Sequence, residues 1–336
     1  MTGIFFSLLA ALPLGLSVLL WALLALLLAF IGFELHMGWS LFRYATKRAD
    51  TDQFTPPADI PQEALDWYKT VAVTRERLLL QTHEEWELKR GGISLRGTFF
   101  PARQGDPAGQ GCALLVHGWR DVRMSRAVDV QMYLDMGYSV FMPALRGHAP
   151  SGGRRIDIGC LHRKDLFAWM EEVRKRLDQA PDHFILDGLS MGAANVLTAA
   201  GDGDLPEDVA AILADCGYSS LLAQGQWMTR GIKPLLRIPA LYAAIMYFYL
   251  FMGYSRKSPT PLSQAGKARV PIFFIHGTQD QFVPTFMGQE LHAACASPIK
   301  ELWLVEGAGH AMSYATAGQT YRARKADFIR RALAGD

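Results

Sequence analysis

The chain has 336 residues, of which 50% are hydrophobic and 20% are charged, and its 34 basic side chains nearly balance 32 acidic ones. This length suits one domain of about 250–300 residues with an accessory segment, or two smaller domains, and such a core needs neither disulfides nor a structural metal. The balance of charge excludes the basic surface that nucleic-acid binding usually needs, and 11% aromatic residues exclude wholesale disorder.

The first segment is a long apolar run. Nothing ionisable lies between Met1 and Phe33, and residues 4–33 exceed the roughly 20 residues that cross a bilayer as a helix. A cleaved signal peptide fits less well, because no Lys or Arg precedes the run and the run is too long. We therefore expect residues 1–33 to be a retained transmembrane anchor, which would make the chain a single-pass protein of the cell membrane.

The charges that follow this run predict its orientation. Arg43, Lys47 and Arg48 lie close enough to the apolar run for the positive-inside rule to apply, which places the rest of the chain in the cytoplasm. Residues 34–61 contain polar residues and prolines that stop helices, so we expect a membrane-proximal linker there.

The spacing of the cysteines is also consistent with the cytoplasm. The chain has four, which are scattered and form no CxxC pair, so reduced thiols are favoured over two disulfides. They are Cys112, Cys160, Cys216 and Cys295.

Residues 62–336 show the pattern of an α/β domain. EEWELKR and ISLRGTFF are two predicted strands joined by a turn at residues 89–92, and short apolar runs then alternate with amphipathic helices. The later predicted strands are CALLVHG, YSVFMPA, HFILDG, VAAILADC, VPIFFIHG and KELWLVEG. This alternation predicts a mostly parallel central sheet with helices on both faces.

Residues 219–258 interrupt this alternation. They contain no strand signal and end in the apolar stretch PALYAAIMYFYLFMGY. A second membrane span is an alternative, but Arg237 and Pro239 interrupt the approach and residues 239–254 are short for a span. We expect a helical cap inserted between core strands, with its aromatic and methionine side chains lining a substrate pocket.

The strongest chemical signal is a G-x-S-x-G motif. Gly188, Ser190 and Gly192 lie between the predicted strand HFILD and a helix of small residues, where glycines permit a tight strand-to-helix turn that exposes the serine. A serine hydroxyl needs a base to remove its proton, and the base is usually a histidine oriented by a carboxylate. Ser190 is therefore the predicted nucleophile.

Two later strands end in suitable partners. VPIFFIHG leads to Asp280 and KELWLVEG leads to His310, in the chain order serine, acid, histidine that this type of turn predicts. Asp215, which follows another strand, is the alternative acid. The predicted oxyanion hole combines the backbone N–H groups of Met191 and Trp119.

The remaining motifs indicate structure rather than further chemistry. His117 and His276 precede glycines at strand ends and His148 follows Arg146-Gly147, so we expect all three to stabilise loops. The chain has no H-E-x-x-H, no phosphate-binding G-x-x-x-x-G-K-[ST] and no strand-linked G-x-G-x-x-G. We therefore expect neither a catalytic metal nor a cofactor.

With these residues identified, the chain resembles the α/β-hydrolase superfamily, and more narrowly bacterial hydrolases of the serine aminopeptidase and lysophospholipase-like group. The matching segments are LLVHGW, PALRGHAPSGG, LDGLSMGAANVL, DCGYSS, GYS, FFIHGTQDQFVP and VEGAGHAMSY. The resemblance implies an α/β-hydrolase fold with Ser190 as nucleophile, Asp280 as acid and His310 as base. The chain departs from the pattern at residues 148–150, where the group usually has Gly-x-Ser.

The resemblance leaves the substrate open, because this superfamily includes several activities. We expect a serine hydrolase that cleaves small acyl-ester or lipid substrates near the membrane. A peptidase, amidase or acyltransferase on the same triad is the first alternative. A non-catalytic membrane-tethered binding protein is the second, and the presence of all three triad residues disfavours it.

Overall fold

The computed structural model describes residues 13–54, 62–103, 111–159, 161 and 163–335. Part of the predicted anchor (residues 1–12), part of the predicted linker (residues 55–61) and Cys160 lie outside the described residues. The chain divides into two compact units. The first, the helical unit, contains Met1–Tyr44 and Thr229–Gly253, and the second, the sheet unit, contains Ala45–Met228 and Tyr254–Asp336.

The described helices are α1 (Leu14–Thr46), α2 (Gln62–Leu79), α3 (Ala127–Asp135), α4 (Lys164–Arg176), α5 (Met191–Ala200), α6 (Leu221–Met228), α7 (Pro234–Met252), α8 (Pro261–Ala265), α9 (Thr285–Ala294), α10 (Ser313–Ala317) and α11 (Gln319–Ala334). The described strands are β1 (Glu84–Arg90), β2 (Ile93–Phe100), β3 (Gly111–Val116), β4 (Ser139–Ala144), β5 (His183–Leu189), β6 (Val209–Asp215), β7 (Ile272–Gly277) and β8 (Lys300–Val305).

The sheet unit is built on one eight-stranded sheet with the order β1-β2-β4-β3-β5-β6-β7-β8. Strand β2 pairs antiparallel with β1 and β4, and every later neighbour pair is parallel. The β1–β2 turn uses Gly91 and Gly92 at φ of 56° and 72°, a region that glycine enters without steric cost. The predicted mostly parallel sheet and its first hairpin are confirmed.

Helices cover both faces of the sheet. A hydrophobic cluster on one face includes residues of α2, α3 and α11 together with Ile185 of β5. Side chains alternate along a strand, so the buried Phe184 and Leu186 lie on the opposite face. On that face Trp169 of α4 packs against Phe141 of β4, with ring centroids 4.6 Å apart. Helix α2 occupies a segment for which the sequence predicted no element.

The helical unit consists of α1 and α7. Side chains of α1 are exposed along the apolar run and become buried at Glu34, Gly38 and Phe42, one turn apart. A Cβ on Gly38 would overlap Ala243, which shows how closely the two helices approach. Phe42 contacts Phe248 with ring centroids 5.0 Å apart.

Two differences from the sequence predictions concern these helices. Helix α1 does not end at Phe33 but continues to Thr46, because its later turns pack against α7. Residues 219–258 form helices, and α7 groups with α1. The expectation that this segment caps the active site stays a prediction. Among the described residues, α1 and α7 are the helices long and apolar enough to cross a membrane.

Candidate active site

Ser190 lies at the sharp turn between β5 and α5. Its backbone has φ 55° and ψ −113°, a conformation that is strained for a residue with a side chain. A Cβ on Gly188 would overlap the carbonyl of Gly192, and one on Gly192 would overlap the carbonyl of Val116 at the end of β3. Both flanking glycines of the motif are therefore required by close backbone approach.

The structure brings Ser190, His310 and Asp280 together. The His310 imidazole lies between the other two, with Nε2 2.9 Å from Ser190 Oγ and Nδ1 2.7 Å from Asp280 Oδ2. Asp280 follows β7 and His310 follows β8, so both come from loops at the carboxyl ends of parallel strands, as predicted. Asp280 is fully buried while the His310 side chain is 23% exposed, so a substrate can reach the imidazole.

The surroundings of Asp280 keep it ionised. Its Oδ1 accepts hydrogen bonds from the backbone N–H groups of Phe282 and Val283 at 2.9 and 2.8 Å. Burial by itself would raise the pKa of this carboxyl, but hydrogen bonds from His276 and His310 more than offset burial and lower the pKa to about 2. The carboxylate is thus available to orient and stabilise a protonated His310.

A second histidine contacts the same carboxylate. His276 Nε2 lies 2.9 Å from the carbonyl oxygen of Val283 and 3.4 Å from Asp280 Oδ2. Its ring packs against Gly288 of α9, where a Cβ would clash with Nδ1. His276 therefore holds the Asp280 loop, which agrees with the structural role predicted for it.

The alternative acid, Asp215, is engaged elsewhere. Its carboxylate accepts hydrogen bonds from the hydroxyls of Ser313 and Tyr321 at 2.9 and 3.0 Å. Burial raises the pKa of this carboxyl, the reverse of the shift at Asp280. The backbone carbonyl of Asp215 accepts from the Ser190 N–H at 2.8 Å and so supports the turn.

The predicted oxyanion donors lie on two segments beside Ser190. Met191 begins α5 directly after the serine, and a Cβ added to Gly118, which precedes Trp119, would lie 3.7 Å from the Ser190 Cβ. The indole Nε1 of Trp119 donates to the carbonyl of Ala45 at 2.8 Å, which anchors the side chain. The backbone N–H groups of Trp119 and Met191 stay predicted donors.

Two buried histidines hold the loop that contains Trp119. His117 Nε2 accepts from the Leu145 N–H at 3.0 Å, and His148 Nε2 accepts from the Arg120 N–H at 3.2 Å. Burial lowers the pKa of His117 to about 4 and that of His148 to about 2, so both rings are neutral acceptors near pH 7. The loop-stabilising role predicted for both agrees with these contacts.

One set of side chains at the site has the composition of a metal site. The candidate ligand atoms of Cys216, Asp280 and His310 lie within 4.8 Å of one another. However, hydrogen bonds of the triad already engage Asp280 and His310, and burial raises the pKa of the Cys216 thiol well above its usual value. A thiol is a poor ligand until it loses its proton, so this arrangement favours serine chemistry over metal binding.

Sequence reasoning missed a buried ionic network beneath the site. Asp187 of β5, three residues before Ser190, accepts from Lys325 Nζ at 2.6 Å, Arg126 Nη2 at 2.9 Å and the Tyr133 hydroxyl at 2.9 Å. Asp129 accepts from Arg126 Nε at 2.8 Å. The sequence carried one signal for this network, because Asp187 is a charged residue within the otherwise apolar strand HFILDG.

Comparisons with known proteins agree with this architecture. The family model described as "Alpha/beta hydrolase family" matches residues 113–323. The chain is 29% identical over 203 residues to the Bacillus subtilis protein YqkD, a match that covers 60% of this chain and 65% of YqkD.

Two solved structures share the fold. The Pyrococcus furiosus esterase Pf2001 superposes with a TM-score of 0.58 at 20% identity, covering 82% of this chain and 99% of the esterase. An acylaminoacyl peptidase gives a TM-score of 0.54 at 16% identity, covering 74% of this chain and 41% of the peptidase. With a family model that matches most of the sheet unit, including Ser190, Asp280 and His310, the chain belongs to the alpha/beta hydrolase family and has its fold.

Proposed function

We propose that the chain is a membrane-anchored serine hydrolase that cleaves acyl esters through an acyl-enzyme. The observation that supports this most directly is the hydrogen-bonded series Ser190 Oγ, His310 and Asp280, with Ser190 at positive φ on the turn after β5. A hydroxyl paired with a histidine that is itself oriented by a carboxylate is the arrangement that activates a serine.

The reaction has two halves. His310 Nε2 takes the proton from Ser190 Oγ as the oxygen attacks the ester carbonyl, and Asp280 stabilises the imidazolium. The backbone N–H groups of Trp119 and Met191 bind the oxyanion. His310 then protonates the leaving alcohol, and water attacks the acyl-enzyme with His310 again as the base.

The membrane is the proposed location of this activity. The apolar side chains of α1 are exposed over the described part that precedes Glu34, and a lipid environment would remove them from water. An anchored hydrolase has lipid-soluble esters at high local concentration. We therefore infer lipid or other acyl-ester substrates.

The nucleophile is tested with a fluorophosphonate probe. The full-length chain should react covalently, and Ser190→Ala should lose the labelling while keeping its melting temperature. Ser139→Ala is the matched control, because Ser139 is also buried but lies at the start of β4. Labelling of Ser190→Ala at the wild-type level would mean that another residue is the nucleophile and would overturn the proposal. A wild-type chain that does not react would favour the non-catalytic alternative.

Ester and amide substrates separate the proposed reaction from a peptidase. With p-nitrophenyl esters from acetyl to palmitoyl, kcat/KM should rise with chain length by roughly fourfold per carbon at most and then level off, since each buried methylene contributes about 0.8 kcal/mol. Higher kcat/KM on aminoacyl amides than on every ester would identify a peptidase. A flat ester series would exclude an acyl pocket.

A further inference from the structure

Helix α7 has apolar residues on two sides. One side, which includes Ala240, Ala244 and Phe248, is buried, and Ala240 and Ala244 lie against Gly38 of α1. The other side is exposed to solvent and repeats every three or four residues, the spacing of one helical face. This exposed stripe consists of Leu235, Ile238, Tyr242, Met246 and Tyr249, with Leu250 and Phe251 beside it.

The stripe is too apolar for a face in water. Leu235 is 74% exposed, Tyr242 63% and Leu250 66%. A regular stripe of this kind along a helix, unlike scattered single residues, indicates a partner surface. Tyrosines within it are typical of side chains at the boundary between lipid and water.

The packing of α7 on α1 places the stripe beside the proposed membrane span. Gly38 contacts Ala240 and Ala244, while Phe42 contacts Phe248 and Phe251, so α7 packs across the last turns of α1. Burial on α1 begins at Glu34, directly after the uncharged run. Helix α7 therefore lies at the end of the span, where a bilayer meets water.

The charge of this segment favours one kind of membrane. No Asp or Glu occurs between Asp215 and Asp280. Lys233, Arg256 and Lys257, which flank α7 in the chain, are exposed, and none forms an ion pair among the described residues. Basic side chains at the edge of an apolar helix attract the anionic headgroups of a lipid surface.

We propose that α7 is an interfacial helix that lays its exposed stripe into the surface of an anionic bilayer, next to the end of the α1 span. This adds a second, lipid-sensing attachment to the anchor. The absence of acidic residues favours lipid over a second copy of the chain, because a self-complementary contact would bring these basic flanks together.

Nitroxide labels on the full-length chain test this placement. The chain is reconstituted in nanodiscs that contain phosphatidylglycerol, with Tyr242→Cys or Met246→Cys labelled, and the unsubstituted chain is labelled in parallel to subtract native thiols. Collisions with oxygen report lipid and collisions with a water-soluble nickel complex report solvent. Leu24→Cys is the control within the α1 span, and Lys175→Cys, at an exposed lysine of α4, is the control in water.

We expect both stripe labels to be several-fold richer in oxygen collisions, relative to nickel, than the label at Lys175. Nickel access equal to that at Lys175 would overturn the proposal. Protection from both reagents would also overturn it and would indicate a protein partner. The Leu24 label and fluorophosphonate labelling report the anchor and the active site separately, so a failure here is distinct from failure of the proposed function.

The charge requirement has its own test. In nanodiscs of phosphatidylcholine alone, nickel access at the stripe labels should rise several-fold. The combined variant Lys233→Gln/Arg256→Gln/Lys257→Gln should show the same rise in phosphatidylglycerol discs, since each basic side chain near an anionic surface strengthens attachment by about fivefold. Unchanged access in both experiments would overturn the anionic preference.

Discussion

At the scale of single residues, the pKa values of two buried carboxyl groups at the ends of neighbouring strands are shifted in opposite directions. Asp280 is hydrogen-bonded by His276, His310 and two backbone N–H groups, which outweigh burial and lower its pKa. Asp215 has only neutral hydroxyl donors in its hydrogen bonds, so burial dominates and raises its pKa. The environment of Asp280 favours the negative charge that a catalytic histidine needs, and the environment of Asp215 disfavours it.

This difference predicts opposite outcomes for two matched substitutions. Asp280→Asn should reduce kcat by roughly 10⁴, because an amide holds His310 in the wrong tautomer. Asp215→Asn should change kcat far less and act mainly on the melting temperature. Both are measured with one ester substrate and by thermal unfolding; the reverse ranking of kcat would make Asp215 the acid.

The candidate triad could be predicted from the sequence because each member follows a recognisable strand. The glycines around Ser190 are needed because larger residues would clash with the backbone of the turn. The order of Asp280 and His310 along the chain then limits which acid and which histidine can complete the triad. The contact of His276 with Asp280 could not be predicted in the same way. It depends on how the loop after β7 folds back over the end of that strand, and no sequence pattern records that.

At the scale of elements, the loop after β3 is held by two neutral histidines. His117 binds the Leu145 N–H and His148 binds the Arg120 N–H, and their rings contact each other at 4.6 Å. Both hydrogen bonds require an unprotonated Nε2, which the low pKa values ensure. The loop therefore presents Trp119 to the active site from a fixed backbone.

Removing one acceptor should loosen this loop. His148→Leu leaves the Arg120 N–H without its ring partner, and kcat should fall about tenfold to a hundredfold, less than the 10²–10³ lost with a whole oxyanion donor. KM should change little, because the interaction acts on the transition state. His83→Leu, at a partly exposed histidine whose ring hydrogen-bonds to the nearby Gln81 carbonyl, is the control. Wild-type kcat in a folded His148→Leu variant would contradict this role of the loop.

The length of α1 shows what sequence patterns cannot determine about elements. Polar residues after Phe33 favoured a linker, yet the helix continues because Gly38 and Phe42 pack against α7. The partner lies about two hundred residues away in the chain, and tertiary packing of this kind overrides local propensity. The sheet was more predictable, because a strand buried on both faces is an apolar run whatever its neighbours are.

At the scale of the whole molecule, the network around Asp187 joins elements from distant parts of the sheet unit. Lys325 of α11 lies 138 residues from Asp187 in sequence, and both side chains are fully buried. Burial alone would raise the pKa of Asp187, but Lys325 and Arg126 outweigh it and lower the pKa below its usual value. The charge of Asp187 therefore stabilises the fold above about pH 4, and this contribution is lost as the pH falls.

Lys325→Met should expose this dependence. With one cation removed, the buried carboxylate loses a partner, and the free energy of unfolding at pH 7 should fall by about 3–5 kcal/mol. The deficit should shrink at acidic pH as Asp187 becomes protonated. Urea unfolding at a series of pH values measures it, with Lys164→Met as the control because Lys164 pairs with Asp204 at the surface. A deficit independent of pH would indicate lost packing instead.

The placement of the whole chain across the membrane gives the last prediction. Arg43 and Lys47 are exposed at the end of α1 that leads into the sheet unit, and the uncharged run precedes them. Basic residues resist translocation, so a C-terminal reporter should be active in the cytoplasm and silent outside it, and the chain should stay in membranes after a carbonate wash. Arg43→Glu/Lys47→Glu should weaken this bias and let part of the population show the reporter outside. The control is Arg103→Glu, at an exposed arginine far along the chain from α1. A reporter active only outside would reverse the orientation, and release by carbonate would mean that α1 is not an anchor.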